Sequence, residues 1–279
     1  MKQFYKDFIG KTINSQEQLK IQLDILKYVA SFCEKNGLRY FLADGTLLGA
    51  VRHHGYIPWD DDIDIRMPRP DYEKMCELFN SKDNDGTYHL IQPSDDEAQH
   101  YFVKIIDTRT IKIEPYLNYK FGLIGIDIDV FPIDGAPSNP NEYDKYQKTI
   151  RGYNKTYMLK KKIFFRRMLT IGKDFVKNRF KAHFCPFMSF KAVARKVKQL
   201  SNQYDFEKSE YVCHIGIGDR YRFPRSAYSD YKMMQFEDTQ FRIPCGYDEI
   251  LTAHYGDYMK LPPVEKQITH HVNNAYWKK

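Results

Sequence analysis

Residues 55–70 read GYIPWDDDIDIRMPRP and crowd Asp60, Asp61, Asp62 and Asp64 into five positions. Carboxylates this close repel one another and must be solvated or matched by a cation. In an extended strand alternate side chains share a face, so Asp60, Asp62 and Asp64 point one way while Ile63 and Ile65 point into a core. Oxygen ligands on one rigid face suit a hard divalent cation, Mg2+ or Mn2+. A second copy of the pattern, GIDIDVFP at 125–132, puts Asp127 and Asp129 on one face and Ile126, Ile128 and Val130 on the other. Two such strands can converge on one ion or ion pair, a geometry that a merely solvated acidic edge strand has no need of. A calcium loop matches poorly. Ile65 stands where its turn needs glycine, and Asp71 where it needs glutamate.

A phosphate partner for such an ion lies upstream. DGTLLGAVR (44–52) sets Gly45, Thr46 and Gly49 where a strand turns into a helix, and Arg52 follows. Backbone N–H groups at a helix start can cradle a phosphate, and the arginine adds a fixed charge. A Gly-Thr turn alone is weak evidence. Strand, Gly-Thr, short helix and two D-x-D strands in that order are the layout of a nucleotidyltransferase fold.

The elements that must hold these groups follow from the local punctuation. Ser15 and Gln18 form a capping box before Leu19, Leu23, Leu26, Ala30 and Cys33 at helical spacing, and Asn36-Gly37 ends that helix. LRYFLA (38–43) reads as a strand and DGTLLGAVRH as a turn opening a short helix. Pro68 and Pro70 stop the aspartate strand, and Asp71 caps a helix carrying Tyr72, Met75, Cys76 and Phe79 on one face. YFVKII (101–106) and TIKIEPY (110–116) read as strands. So does 122–135, closed by Pro132 and Gly135. A helical, basic, aromatic-rich stretch fills 140–200, and a further helix lies near 247–260. Strands alternating with helices give a mixed α/β (α+β) fold, a mixed sheet flanked by helices with a basic helical insertion.

Composition narrows the function classes. The start of the chain offers no run suited to a signal peptide, and no stretch approaches the roughly 20 apolar residues of a membrane span. Five well-separated cysteines without a C-x-x-C read as reduced thiols, so a cytoplasmic protein is expected. The net charge of +7 hides a division: residues 151–198 hold 15 Lys and Arg against Asp174 alone, while the rest of the chain is net −7. Such a segment, interleaved with Tyr and Phe, can lie on an anionic leaflet. It can equally form a helical subdomain whose aromatics are its core.

Two blocks, FLADGTLLGAVRHHGYIPWDDDIDIRMPRPDY and GIDIDVFPIDG, closely resemble the LicD family, the phosphocholine transferases related to fukutin and fukutin-related protein. The likeness runs on through FEDTQFRIP (236–244) and YGDYMKLPP (255–263), covering roughly 20–271 and leaving only the basic segment unmatched. It implies a nucleotidyltransferase-like catalytic core over 1–150, the basic helical segment over 151–210, and a part at 211–279 that completes the catalytic domain. It also implies a CDP-activated donor, most simply CDP-choline, a divalent metal, transfer of phosphocholine to a sugar hydroxyl of a surface glycan or its lipid-linked precursor, and release of CMP. By that resemblance Asp62, Asp64 and Asp129 are metal ligands and catalytic, with Asp127 orienting the site or sharing a second ion. Gly45, Thr46 and Arg52 hold the pyrophosphate, His54 and Trp59 wall the site, and Lys104 neutralises phosphate. Phe236, Glu237, Tyr255, Gly256 and Met259 are assigned to structure.

Phosphoethanolamine, ribitol phosphate, glycerol phosphate or a phosphonate would satisfy the same phosphate site. A conventional nucleotidyltransferase releasing pyrophosphate is the rival enzyme. A nucleic-acid-binding protein working through 151–198 is the rival without chemistry, but it leaves both D-x-D strands idle, so no nucleic-acid partner is expected. Peripheral contact of 151–198 with the inner face of a membrane fits a lipid-linked acceptor.

Overall fold

A computed structural model of the chain describes residues 7–81, 85–93, 102–113, 124–169, 190–214, 220–269 and 274–279, with side chains left aside at 156–169 and 190–191. Its helices are α1 (Ser15–Asn36), α2 (Asp44–His53), α3 (Arg69–Leu78), α4 (Pro140–Leu169), α5 (Phe190–Ser201) and α6 (Tyr247–Tyr255). Its strands are β1 (Ile9–Ile13), β2 (Phe41–Leu42), β3 (Asp64–Pro68), β4 (Tyr88–Ile91), β5 (Val103–Asp107), β6 (Thr110–Ile113), β7 (Asp127–Ala136), β8 (Tyr211–Cys213), β9 (Arg222–Pro224), β10 (Tyr231–Phe236), β11 (Thr239–Pro244) and β12 (Asn274–Lys278).

The central sheet runs β2-β3-β7-β5-β4, with β8 and β9 added along the far half of β7. Only β3 and β7 are parallel; the other pairs are antiparallel. This is the mixed α/β, nucleotidyltransferase-like arrangement that the motif order predicts. One face is covered by α1, whose Ile21, Ile25, Leu26 and Val29 share a core with Ile63, Ile65, Val103, Ile105, Ile128 and Val130. Every second strand residue is therefore apolar and fixed toward α1, and a one-residue slip would drive the carboxylates into that core.

Several boundaries differ from the expectation, each for a local reason. Asn14, not Ser15, caps α1: its Oδ1 accepts from Glu17 N at 2.9 Å. Gly37 ends the helix in the left-handed region at φ 63°, where a Cβ would be strained. Asp71 lies inside α3 and caps nothing there; it accepts from Arg39 N and Nε. Pro132 does not close β7. It falls between the stretch paired to β5, which ends at Val130, and the stretch paired to β8, which begins at Asp134, so its missing N–H interrupts neither ladder.

The basic region enters as an insertion between β7 and β8, strands that pair with each other. The boundary expected at 150/151 falls inside α4. Tyr143, Tyr146 and Ile150 of α4 and Val193, Val197 and Leu200 of α5 form a small core of their own, seated on Ala136 and Cys213 where β7 and β8 end. Aromatics at the described positions of this insertion thus serve packing, while most of the basic side chains of 151–198 lie outside the described residues. No helix among the described residues is long and apolar enough to cross a membrane.

Candidate active site

Asp64 on β3 stands opposite Asp129 on β7, and Asp129 stands opposite Lys104 on β5. Residues opposite one another project to the same face of a sheet, roughly 5 Å apart. Asp64, Asp129 and Lys104 therefore form a row across three strands, on the face away from α1, with Asp127 the next same-face residue of β7. The two D-x-D segments do converge, though not as two long strands. β3 begins only at Asp64, because Pro58 and a turn closed by Asp60 N donating to Ile57 O (2.8 Å) precede it. Asp60 closes that turn, and Asp62 lies on the short stretch between it and β3.

The turn into α2 brings the remaining groups. Thr46 is buried, and its Oγ1 accepts from Asp64 N at 2.9 Å, so the hydroxyl orients the head of β3. Asp44 opens α2 at φ 45°, a strained value for a residue with a Cβ, and both its oxygens accept from Arg66 Nη2 at 2.8 and 2.7 Å. Gly45 carries no Cβ because none would fit: one placed there would lie 2.4 Å from Asp60 Oδ2. The Asp60 carboxylate thus occupies the head of α2, where N–H groups and the helix dipole favour an anion.

Charge at the site is out of balance. Among the described residues, Arg66, Lys104 and Lys112 are the cations paired with the carboxylates of the group Asp44, Asp60, Asp62, Asp64, Asp127 and Asp129. Burial, then the Asp62 charge and a hydrogen bond with it, push the Asp60 carboxyl up to about 7. Burial and the charges of Asp62, Asp44 and Asp129 hold Asp64 well above the usual carboxylate range. Burial lifts Asp129 to about 6 even though Lys104 bonds to it. Asp127 behaves oppositely. Burial works against its ionisation, but the ammonium groups of Lys104 and Lys112 outweigh burial and lower it.

This pattern tests a divalent cation against the residues present. Surplus negative charge on the half-buried Asp62, Asp64 and Asp129 is what a hard cation relieves, and in donor type the set fits. Among the described residues no three ligating groups already stand in coordination geometry, so these side chains would close around an ion as it binds. Asp127 differs from the other three in its surroundings: Lys104 and Lys112 each pair with one of its oxygens, so in this structure it stands as their counter-ion.

Other expected site residues are placed as follows. Lys104 is buried in the row, bonded to Asp127 and Asp129. Arg52 donates from Nη1 to Tyr258 O (2.7 Å) and from Nε to His53 (2.9 Å), which holds it at the end of α2 away from the Gly45 turn. His54 ends α2 in the left-handed region with an exposed side chain, and Trp59 stacks edge-on to His53. Phe236 and Glu237 are structural, as expected: Phe236 is buried, and Glu237 Oε1 accepts from Tyr56 N at 2.9 Å, pinning the 54–56 loop. Tyr255, also assigned to structure, lies near the site's carboxylates. Burial and the charges of Asp44, Asp64 and Asp60 raise its phenol, and it lines a narrow cleft with Asp44, Arg66, Tyr228 and His254. Asp44, Arg66, Lys112 and Tyr255 carried no spacing signal. Only the position of Asp44 at the start of DGTLLGAVR hinted at its place.

Comparison with known proteins bears on this geometry. Residues 37–168 match the family model described as LicD/FKTN/FKRP, nucleotidyltransferase domain. The chain is 31% identical over 272 residues to the lipopolysaccharide cholinephosphotransferase LicD of Haemophilus influenzae, covering 95% of this chain and 99% of that one. Over 47 residues it is 45% identical to the human ribitol 5-phosphate transferase FKRP, covering 17% of this chain and 10% of that protein. A 122-residue stretch is 25% identical to mannosyltransferase regulator 4 of Saccharomyces cerevisiae, covering 43% of this chain and 10% of that protein.

Proposed function

Because the chain belongs to the LicD/FKTN/FKRP family of nucleotidyltransferase-fold proteins, we propose that it transfers a phosphate-linked head group from a CDP-activated donor to a sugar hydroxyl of a glycan, releasing CMP. Phosphocholine is the preferred head group, since the relative that matches nearly end to end is a cholinephosphotransferase. The observation that carries the reading is the row Asp64–Asp129–Lys104, flanked by Asp62 and by the head of α2: surplus carboxylates beside an anion-favouring turn.

In this reading Asp62, Asp64 and Asp129 would hold Mg2+ or Mn2+, which when bound screens the phosphate charge. The N–H groups at Gly45 and Thr46 meet the pyrophosphate, and Asp60 yields the head of α2 to it. Lys104 faces the phosphate from the β5 side. Asp129, central in the row, takes the proton of the attacking hydroxyl. Attack falls on the phosphorus that bears the head group, so the nucleotide departs as CMP. A lipid-linked acceptor would be met at the cytoplasmic face of a membrane, with 151–198 as the peripheral contact.

A panel of CDP-linked donors with Mg2+ tests the reaction. CMP release with one donor, stopped by EDTA and nearly absent in folded Asp64→Asn and Asp129→Asn variants, is the expected result. Pyrophosphate released from CTP or ATP, with nucleotide left on the acceptor, would instead mark a conventional nucleotidyltransferase.

A further inference from the structure

The segment that leaves α6 holds a cluster of apolar side chains facing water. Met259, Leu261, Val264 and Ile268 fall within ten residues and stand 56%, 52%, 79% and 56% exposed. Single apolar residues on a surface are ordinary, but several on one short segment mark a contact. The segment is held in shape. Arg52 Nη1 donates to Tyr258 O at 2.7 Å, and the Tyr258 hydroxyl donates to Asp248 Oδ1 at 2.6 Å, which ties its start to α2 and α6. After Pro262 and Pro263 comes a 3-10 turn, Val264–Lys266, braced by Gln267, whose Nε2 donates to Pro262 O at 2.9 Å. Leu261 and Val264 are thus presented on a fixed bend.

The bend starts beside the site. Tyr255 lines the cleft with Asp44 at the head of α2, and Tyr258 is bonded to the far end of the same helix. That helix has ten residues, a length of about 15 Å, so the bend begins roughly one such length from the cradle at Gly45. We infer that residues 259–268 dip into the interfacial layer of a lipid bilayer and hold the site over the leaflet that carries the acceptor. The choice of a lipid surface rests on the lipid-linked acceptor of the proposed function. Composition favours a bilayer over a folded partner. A protein interface here would have to bury Lys260, Glu265 and Lys266, residue types depleted from interface cores, whereas at a bilayer the lysine stems lie along the apolar layer and their ammonium groups rise to the head groups. Lys260 and Lys266 are balanced in the sequence by Asp257 and Glu265, so this contact is apolar and survives salt that screens the attraction of a basic segment such as 151–198.

The full chain should therefore still sediment with vesicles of phosphatidylcholine and phosphatidylglycerol at about 0.5 M NaCl, where charges are screened within a few ångströms. Leu261→Ser combined with Val264→Ser should weaken that binding at least about tenfold, the scale for leaving two apolar side chains in water. Its melting temperature, and CMP release with a water-soluble saccharide acceptor, should stay as in wild type. Leu261→Trp should gain a blue-shifted emission on vesicles that brominated lipid quenches, while Phe8→Trp, at a site also 56% exposed, should show neither. Salt-resistant binding that persists in the double variant, a wild type that stays in solution in salt, or an equal response from Phe8→Trp would overturn the inference. So would a wild-type dimer, seen by analytical ultracentrifugation, that the double variant does not form, since the bend would then belong to a second copy. Vesicle binding that behaves as expected in a chain that releases CMP from no CDP donor would refute the proposed reaction and uphold the membrane contact.

Discussion

Gly45→Ala separates the site from the fold. A Cβ at this position would lie 2.4 Å from Asp60 Oδ2, 3.4 Å from its Cγ and 3.8 Å from Oδ1. An ordinary carbon–oxygen contact needs about 3.4 Å, so one carboxylate oxygen must retreat by roughly 1 Å. The atom met is the end of a side chain and not backbone, so the helix itself need not move. Gly45 lies inside α2, where alanine is favoured over glycine by up to about 1 kcal/mol, which offsets the crowding. Net stability should therefore change by less than about 1 kcal/mol, a few degrees at most in melting temperature. Function should not survive as well. The new methyl fills the cradle that the pyrophosphate would enter, and it displaces the Asp60 carboxylate, which Asp62 and Asp61 already repel. A misplacement of about 1 Å costs on the order of a hundredfold in rate, some 2.7 kcal/mol of transition-state stabilisation.

The assay pairs a thermal melt with CMP release from the active CDP donor. Turnover of the alanine variant within threefold of wild type would refute the assignment of the α2 head to phosphate. A drop of ten degrees or more would show that Asp60 cannot yield and that the glycine is structural. Gly125→Ala is the contrast. Its Cβ would meet the Asp107 backbone carbonyl at 2.0 Å, with no flexible atom to give way, and should unfold much of the protein.

Two further outcomes follow from buried charge. In EDTA the melting temperature should rise as pH falls from 8 toward 5: Asp60, near 7 in the fold against 3.8 unfolded, and Asp64, also raised, impose a penalty that is absent below the unfolded value and complete above the folded one, and saturating Mg2+ should flatten that dependence. Asp134→Asn strips one charge from the buried pair in which Arg69 Nε and Nη2 donate to its two oxygens at 2.6 and 3.0 Å, and should cost about 3–5 kcal/mol in a denaturant titration, a loss that Mg2+ does not repair.

What the sequence disclosed depended on how local the cause was. α2 begins and ends where DGTLLGAVRH does, because a strand exit, a Gly-Thr turn and an apolar stripe all lie within ten residues. The alternation of Ile63 and Ile65 with Asp62 and Asp64, and of Ile126, Ile128 and Val130 with Asp127 and Asp129, is enough to put Asp64, Asp127 and Asp129 on the polar face of one sheet. Where β3 starts was not legible, since alternation continues back to Asp60 while the turn after Pro58 ends the strand first. Pro132 misled for the opposite reason: a proline stops a strand only if a partner needs its N–H, and partners are assigned by the whole sheet.

The roles of Asp127 and Asp129 show the limit most plainly. They are two residues apart, on the same strand and the same face, and by spacing alone they are equivalent. Asp129 stands between Asp64 and Lys104, so one side of it faces uncompensated charge and it remains available to a cation. Asp127 is met on both oxygens by ammonium groups, one from β5 in the same sheet and one from β6 in another. That second sheet is closed by β12, formed by residues at the far end of the chain from β1. Two carboxylates of one motif can thus meet different partners, and what divides them is a strand pairing across some 160 residues that no local pattern encodes.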